Sequence, residues 1–256
     1  MQNPHVVAVI PARYGSSRFE GKPLALIEGR PMVEWVARRV AQSARIARVV
    51  VAVDDPRVAA VCAAAGLDHV MTRNDHGTST ERLNEVAGMI PADLYIVVNG
   101  DEPLIEPAMV EQVIPDTWPE DRPFVANLTC KMSAPPEVVD PSNIKVVWGP
   151  SGNAVFFSRS PIPYPKSSLA FEYYKHIGVL SYNRAALEFF ASTPRGPVEA
   201  VEDINELRFL EHGIPLKMIV VEPGLGLSVD TPKDLERVRQ IVRERGVTVT
   251  GDLRHG

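Results

Sequence analysis

Val6-Val7-Ala8-Val9-Ile10, running without a break into Pro11-Ala12-Arg13-Tyr14-Gly15-Ser16-Ser17-Arg18-Phe19-Glu20-Gly21-Lys22-Pro23, is the stretch on which the reading of this chain turns. An unbroken apolar run rich in Val and Ile predicts a strand covered on both faces, the type found in parallel sheets. Open α/β sheets bind ligands beyond the carboxyl ends of their strands, where small residues let backbone N–H groups approach an anion. The small residues Ala12, Gly15 and Ser16 suit that approach, and Arg13, Arg18 and Lys22 supply the charge a polyphosphate requires.

Outward from this stretch the chain alternates. Met32, Val36 and Val40 at helical spacing behind Pro31 predict a helix over 31–43. Val49–Val53 predicts a second strand, and an Asp54-Asp55-Pro56 turn leads into a helix over 58–65 that stops at Gly66. Another helix begins near Thr80, and Leu94–Val98 is a further buried strand. Such alternation means an α/β fold with a Rossmann-like, mainly parallel sheet. After about residue 120 come short runs, Phe124–Lys131, Ile144–Trp148, Ala154–Ser158 and His176–Tyr182, separated by Pro and Gly. They predict a smaller mixed α/β subdomain whose strands rejoin the sheet or flank it. A last helix starts at Pro232 with Thr231 as its N-cap. The expected organisation is one compact domain with segments 1–120, 121–220 and a returning 221–256.

With 256 residues, 45% of them hydrophobic, the chain can bury a full core. A formal charge of −5 and the absence of long basic runs argue against a nucleic-acid face, so anion binding must be local. Cys62 and Cys130 lack metal-ligand spacing and read as buried thiols. No leader or membrane-length apolar segment is evident, which makes the cytoplasm the default expectation and argues against a membrane partner. Trp35, Trp118 and Trp148 read as core or interface anchors, and the Glu199/Glu202/Asp203/Glu206 group as a solvated helix face.

Chemistry enters with Asn99-Gly100-Asp101-Glu102-Pro103, directly after a predicted strand. Asp101 is placed to bind a divalent cation. Mg²⁺ takes one or two protein carboxylates plus substrate phosphates, so a second carboxylate should converge, and Asp230, again between an apolar run and a helix, is the candidate. A strand-end Asp is more often a turn or cap residue, but two such residues with a cationic loop form the set that nucleotidyl transfer needs. The first loop lacks the G-x-G-x-x-G of a dinucleotide oxidoreductase. A non-catalytic nucleotide sensor would be expected to lose Asp101 or Asp230, and both are present.

In these residues the chain resembles the CMP-Kdo synthetases, cytidylyltransferases of the GT-A-like nucleotidyltransferase type that join CMP from CTP to the sugar acid Kdo. The matching blocks are Ile10–Arg18 with Gly21–Leu24, Met71–His76 with Thr80–Leu83, Gly100–Ile105, Phe157–Pro163, His176–Gly178, Glu206–Arg208 and Val229–Leu235. The resemblance implies that Arg13 and Lys22 hold CTP phosphates, together with Pro11, Ala12, Gly15, Ser16 and Gly100. Thr72, Arg73, Asn74, Thr78 and Thr80 would face the nucleoside, while Asp101 and Asp230 hold Mg²⁺. Arg18, Asn99, Lys145, Arg159, His176, Leu180, Asn205 and Glu206 would meet a small acidic acceptor. It further implies a homodimer, with 121–220 supplying the acceptor wall and the interface.

The departures gather on the acceptor side. Asn99 stands where the family has Gln, Leu180 where it has Tyr, and Asn205-Glu206 where it has Glu-Gln; Gly77 replaces a Gln on the nucleotide side. A site built for hydroxyls loses roughly 1–3 kcal/mol for each group left unpaired. That pattern leans toward an acceptor with fewer hydroxyls, a phosphonate such as phosphonoformate, over Kdo or its 8-amino analogue.

Overall fold

In the computed structural model, residues 4–15, 19–168, 171–224 and 227–249 are described. In chain order the elements are β1 (Val6–Ala12), β2 (Leu26–Ile27), β3 (Arg30–Pro31), α1 (Met32–Val40), β4 (Arg48–Val53), α2 (Pro56–Ala64), β5 (His69–Met71), α3 (Ser79–Met89) and β6 (Leu94–Val98). Then come α4 (Pro107–Gln112), β7 (Val125–Lys131), α5 (Pro135–Val139), β8 (Lys145–Trp148), β9 (Ala154–Ser158) and β10 (Tyr174–Tyr182). The chain continues through α6 (Arg184–Ser192), α7 (Pro197–Glu202), α8 (Leu207–Glu211), β11 (Leu216–Val221) and α9 (Pro232–Arg245).

The main sheet runs β11-β7-β10-β6-β1-β4-β5, with β8 and β9 branching from β10. β1 pairs in parallel with β4 and β6, β11 pairs in parallel with β7, and β10 is antiparallel to both of its neighbours β6 and β7. Period-two alternation explains the opening apolar run. Val6, Ala8, Ile10 and Ala12 pack into one apolar cluster, while Val7 and Val9 pack into the cluster on the opposite face. Both sequence expectations for the second half are met in part: β7, β10 and β11 rejoin the main sheet, and β8–β9 flank it.

Helix ends follow the expected chemistry at Thr231, which caps α9 in a capping box with Asp234. Pro31, expected inside the first turn of α1, instead precedes it in extended backbone. Trp35 is a core anchor, its Nε1 donating to the Ile27 carbonyl at 2.8 Å. Both cysteines are buried. The acidic group expected on a solvated face is a correction. Glu199 is fully buried and takes two 2.7 Å bonds from Arg208, whose planar fork matches a carboxylate, so that group bolts α7 to α8.

Candidate active site

The described residues at the two ends of the first loop are anchored to the fold. Gly21 sits at φ 68, in the left-handed region, and its N–H donates to the Tyr14 carbonyl, closing the loop at 2.9 Å. A Cβ there would lie 3.4 Å from the Tyr14 ring, on which the Arg57 guanidinium stacks 3.4 Å from the centroid. The Tyr14 N–H donates to Asp54 at 3.1 Å, and Asp54 also pairs with the buried Arg82 at 3.0 Å. Arg13 and Gly15 project outward from this framework. Ser16 and Arg18 lie outside the described residues.

Lys22 turns back into the molecule on a single turn of 3₁₀ helix. Its Nζ lies 2.9 Å from Asp101 Oδ2 and 3.5 Å from Asp230 Oδ1. The two carboxylates are set side by side by backbone, the Val229 N–H donating to the Asp101 carbonyl at 2.9 Å. Gly100 permits the close approach of the β1 and β6 ends, since a Cβ there would sit 2.6 Å from the Pro11 carbonyl oxygen. Among the described residues no group of three or more His, Cys, Asp or Glu is placed to hold a metal. A cation at Asp101 and Asp230 would therefore draw the rest of its shell from phosphate and water, the habit of Mg²⁺. The convergence of both carboxylates on one ammonium shows that they can share one cation.

Sequence reasoning missed Glu102. Burial, with the charges of Asp101 and Asp230, pushes its carboxyl up to about 8 against the opposing pull of Lys175 and Lys22. Pro103 and a strand-end position gave no signal of that.

From Asp101 and Asp230 a cleft of about 970 Å³ extends along β10, its wall including Asn99, Arg159, Lys175, His176 and Gly178. Asn99 lies over Gly178, where any side chain would collide with it. Lys175, also unforeseen, pairs with Glu137 of α5 at 3.5 Å across this wall. Arg159 donates to the carbonyls of Pro141, Glu202 and Asp203 and, among the described residues, makes no ion pair, so its charge is left to act on the cleft. His176 donates or accepts through Nδ1 at 2.9 Å from Asn127 Oδ1, and burial lowers its pKa, favouring neutral imidazole. Glu206, 6% exposed, makes no hydrogen bond or ion pair among the described residues, yet its charge reaches the His176 ring. Cys130 lines the cleft too, but burial pushes its thiol up and keeps it protonated.

Several expected site residues do something else. Lys145 is fully buried and holds the 140–143 turn through the Asp140 and Asn143 carbonyls, which keeps it out of the cleft. Leu180 is 3% exposed and packs in the apolar cluster with Val97 and Tyr182, so it forms core where an acceptor contact was expected. Asn205 is half-buried and off the cleft wall. The Thr72 hydroxyl donates to the Val53 carbonyl and accepts from Arg82. Thr78 caps α3 in a capping box with Glu81, and Thr80, 1% exposed, bonds the Tyr182 hydroxyl. Arg73 and Asn74 are exposed, Arg73 pairing with Asp75 at 3.3 Å.

This arrangement has close relatives. The profile of the cytidylyltransferase family matches residues 7–219. A 3-deoxy-manno-octulosonate cytidylyltransferase of Escherichia coli is 43% identical over 93% of this chain and 96% of its own length. One from Syntrophotalea carbinolica is 41% identical over 93% and 98%. The structure of a CMP:2-keto-3-deoxy-manno-octonic acid synthetase complexed with CTP superposes with a TM-score of 0.86 at 42% identity, covering 94% of this chain and 99% of that one. A Thermotoga maritima inositol-1-phosphate CTP transferase shares the fold alone, with a TM-score of 0.72 at 15% identity. This chain is therefore an enzyme of the cytidylyltransferase family, and within it belongs with the 3-deoxy-manno-octulosonate cytidylyltransferases.

Proposed function

We propose that this enzyme transfers CMP from CTP to a hydroxylated sugar acid of the Kdo type. An acceptor hydroxyl oxygen forms the bond to the α-phosphorus and gives up its proton to water, the bond from that phosphorus to the β-phosphate oxygen breaks, and pyrophosphate leaves with its electron pair. Arg13 and Lys22 stand where the triphosphate charge would lie, and Lys22, lodged between Asp101 and Asp230, steers toward them whatever phosphate it holds. Asp101 and Asp230 would hold Mg²⁺, which supplies charge neutralisation on the phosphates when bound. Arg73 and Asn74 are offered as nucleoside contacts. Homodimerisation through the 121–220 segment, which exposes Val155, Tyr164 and Val201, belongs to the same reading, and sedimentation tests it.

Glu206 is the observation that carries the acceptor assignment. Its carboxylate, which acts on the His176 ring and makes no hydrogen bond or ion pair among the described residues, can accept hydrogen bonds from hydroxyls, and its charge weighs more against a multiply charged phosphonate than against the single carboxylate of a sugar acid. The relatives named above are Kdo enzymes as well. Leu180, the departure that leaned toward a phosphonate, is a core residue and carries no weight on the acceptor. Arg159 is the candidate for the acceptor carboxylate, with Asn99 and His176 beside it.

Pyrophosphate release with Mg²⁺ and each of CTP, UTP, ATP and GTP, against Kdo, its 8-amino analogue and phosphonoformate, tests the proposal. CTP with Kdo is expected to lead. Phosphonoformate turning over as efficiently as Kdo would overturn the acceptor assignment, and no release with any pair would overturn the reaction.

A further inference from the structure

On β10 the register with β7 slips: His176 pairs with Thr129 and Leu180 with Asn127, so Ile177, Gly178 and Val179 have only Leu128 opposite them. This bulge turns backbone groups out of the ladder. The Asn127 side chain fills the gap, its Nδ2 donating to the Ile177 carbonyl at 2.8 Å and to the Val179 carbonyl at 3.1 Å. Its Oδ1 lies 2.9 Å from His176 Nδ1. Asn127 is fully buried, so no water can soften a wrong orientation.

An amide can face either way, but only one way is tolerable here. Flipped, Asn127 would set its oxygen against two carbonyl oxygens. With Nδ2 on those carbonyls, Oδ1 is an obligatory acceptor, and Nδ1 of His176 must carry the proton. Burial works against the imidazolium, and the charged groups around the ring are Glu206, Arg159 and Asp101. Neutral His176 protonated at Nδ1 has a bare lone pair at Nε2. Among the described residues Nε2 has no partner, and the ring lines the cleft with Phe157 edge-on, 6.2 Å between centroids.

We infer that Asn127 is a positioning residue that locks His176 in its Nδ1–H tautomer, so that Nε2 presents a hydrogen-bond acceptor to a hydroxyl of the bound acceptor. The inference rests on the proposed Kdo-type acceptor for its ligand, but the tautomer belongs to the protein alone. In this tautomer the His176 ring accepts a hydrogen bond from the cleft and donates none to it, which suits a hydroxyl better than an oxyanion.

The tautomer is read from imidazole ¹⁵N shifts of the labelled, ligand-free protein near neutral pH, with the His176 signals identified by their loss in His176→Gln. A pyrrole-type Nδ1 and a pyridine-type Nε2 are expected; protonation at Nε2 overturns the inference. Asn127→Ala is expected to raise the acceptor KM about tenfold, the scale of an outer-shell hydrogen bond, with the CTP KM unchanged. In a His176→Gln background the same change should add little, and an additive loss overturns the idea that Asn127 acts through His176. If Asn127→Ala fails to fold, the shifts of the unaltered protein decide. If Kdo is no substrate yet the Nδ1–H tautomer is found, the acceptor assignment fails and the tautomer lock stands.

Discussion

The phosphate end of the cleft and its β10 wall are made in opposite ways. At the phosphate end, Lys22, Asp101 and Asp230 each follow a strand or an apolar run, stay partly open to solvent, and meet through their charges. Along β10, His176, Asn127 and Glu206 lie within or behind the sheet and meet through buried geometry. A charge-built end tolerates small displacements, because Coulomb attraction falls off gradually. A wall built from directional bonds does not, because a hydrogen bond fails within a fraction of an ångström and a few tens of degrees. Reaction type should therefore be robust in this chain, and acceptor choice fragile.

The sharpest way to break that contrast is at the charged end. Asp101→Asn or Asp230→Asn should lower kcat by about 10³-fold, as loss of a group that stabilises transferring charge does, while circular dichroism shows an intact fold. A fully active variant would remove these carboxylates from the chemistry. Next in size, Leu180→Ala should cost about 2–4 kcal/mol in denaturant unfolding, the range for a buried leucine, with both KM values unchanged. A raised acceptor KM at unchanged stability would put Leu180 back in the cleft. Glu206→Gln keeps the shape and removes the charge; it should raise the acceptor KM about tenfold, close to the worth of one charged hydrogen bond, and leave the CTP KM alone. Tighter phosphonoformate binding in the same variant would confirm that the carboxylate repels it.

The smallest effect concerns Glu102, whose folded carboxyl sits at about 8, well above its ordinary value. The folded chain holds a proton there that the unfolded chain has released. Stability from this group is full below the ordinary carboxylate pKa and is lost as pH rises through about 8. Glu102→Gln mimics the protonated acid, so in metal-free protein it should raise Tm by a few degrees at pH 9 and leave it unchanged at pH 4. An equal gain at both values would mean that Glu102 is ordinarily ionised in the fold.

The same contrast explains what the sequence made legible. Val6–Ile10 and Leu94–Val98 are local signals, and each strand formed where the residues placed it. Asp101 follows β6 at the carboxyl end of the parallel strands, as the rule for such sheets expects, whereas Asp230 follows no strand and is brought beside it by the Val229 backbone bond. No such rule exists for the β10 wall. Lys145 and Arg159 are both cations in matching blocks, yet one is fully buried on backbone carbonyls and the other lines the cleft. Thr72, Thr78 and Thr80 look like nucleoside contacts in the string, but their hydroxyls are taken up by Val53, Glu81 and Tyr182. Asn127 carried no signal at all, because its meaning depends on a register slip between distant segments.

The backbone bond from Val229 to the Asp101 carbonyl has a consequence for how the enzyme comes into being. Asp230 lies far along the chain from Asp101, and α9, which follows it, packs its Leu235, Val238 and Val242 against Ile27, Met32 and Trp35 from a much earlier segment. Every strand of the main sheet precedes Asp230 in the chain. A chain in which α9 has not packed on Ile27, Met32 and Trp35 would bring only one of the two carboxylates to Lys22, so the packing of this helix and the pairing of the two acids are one event.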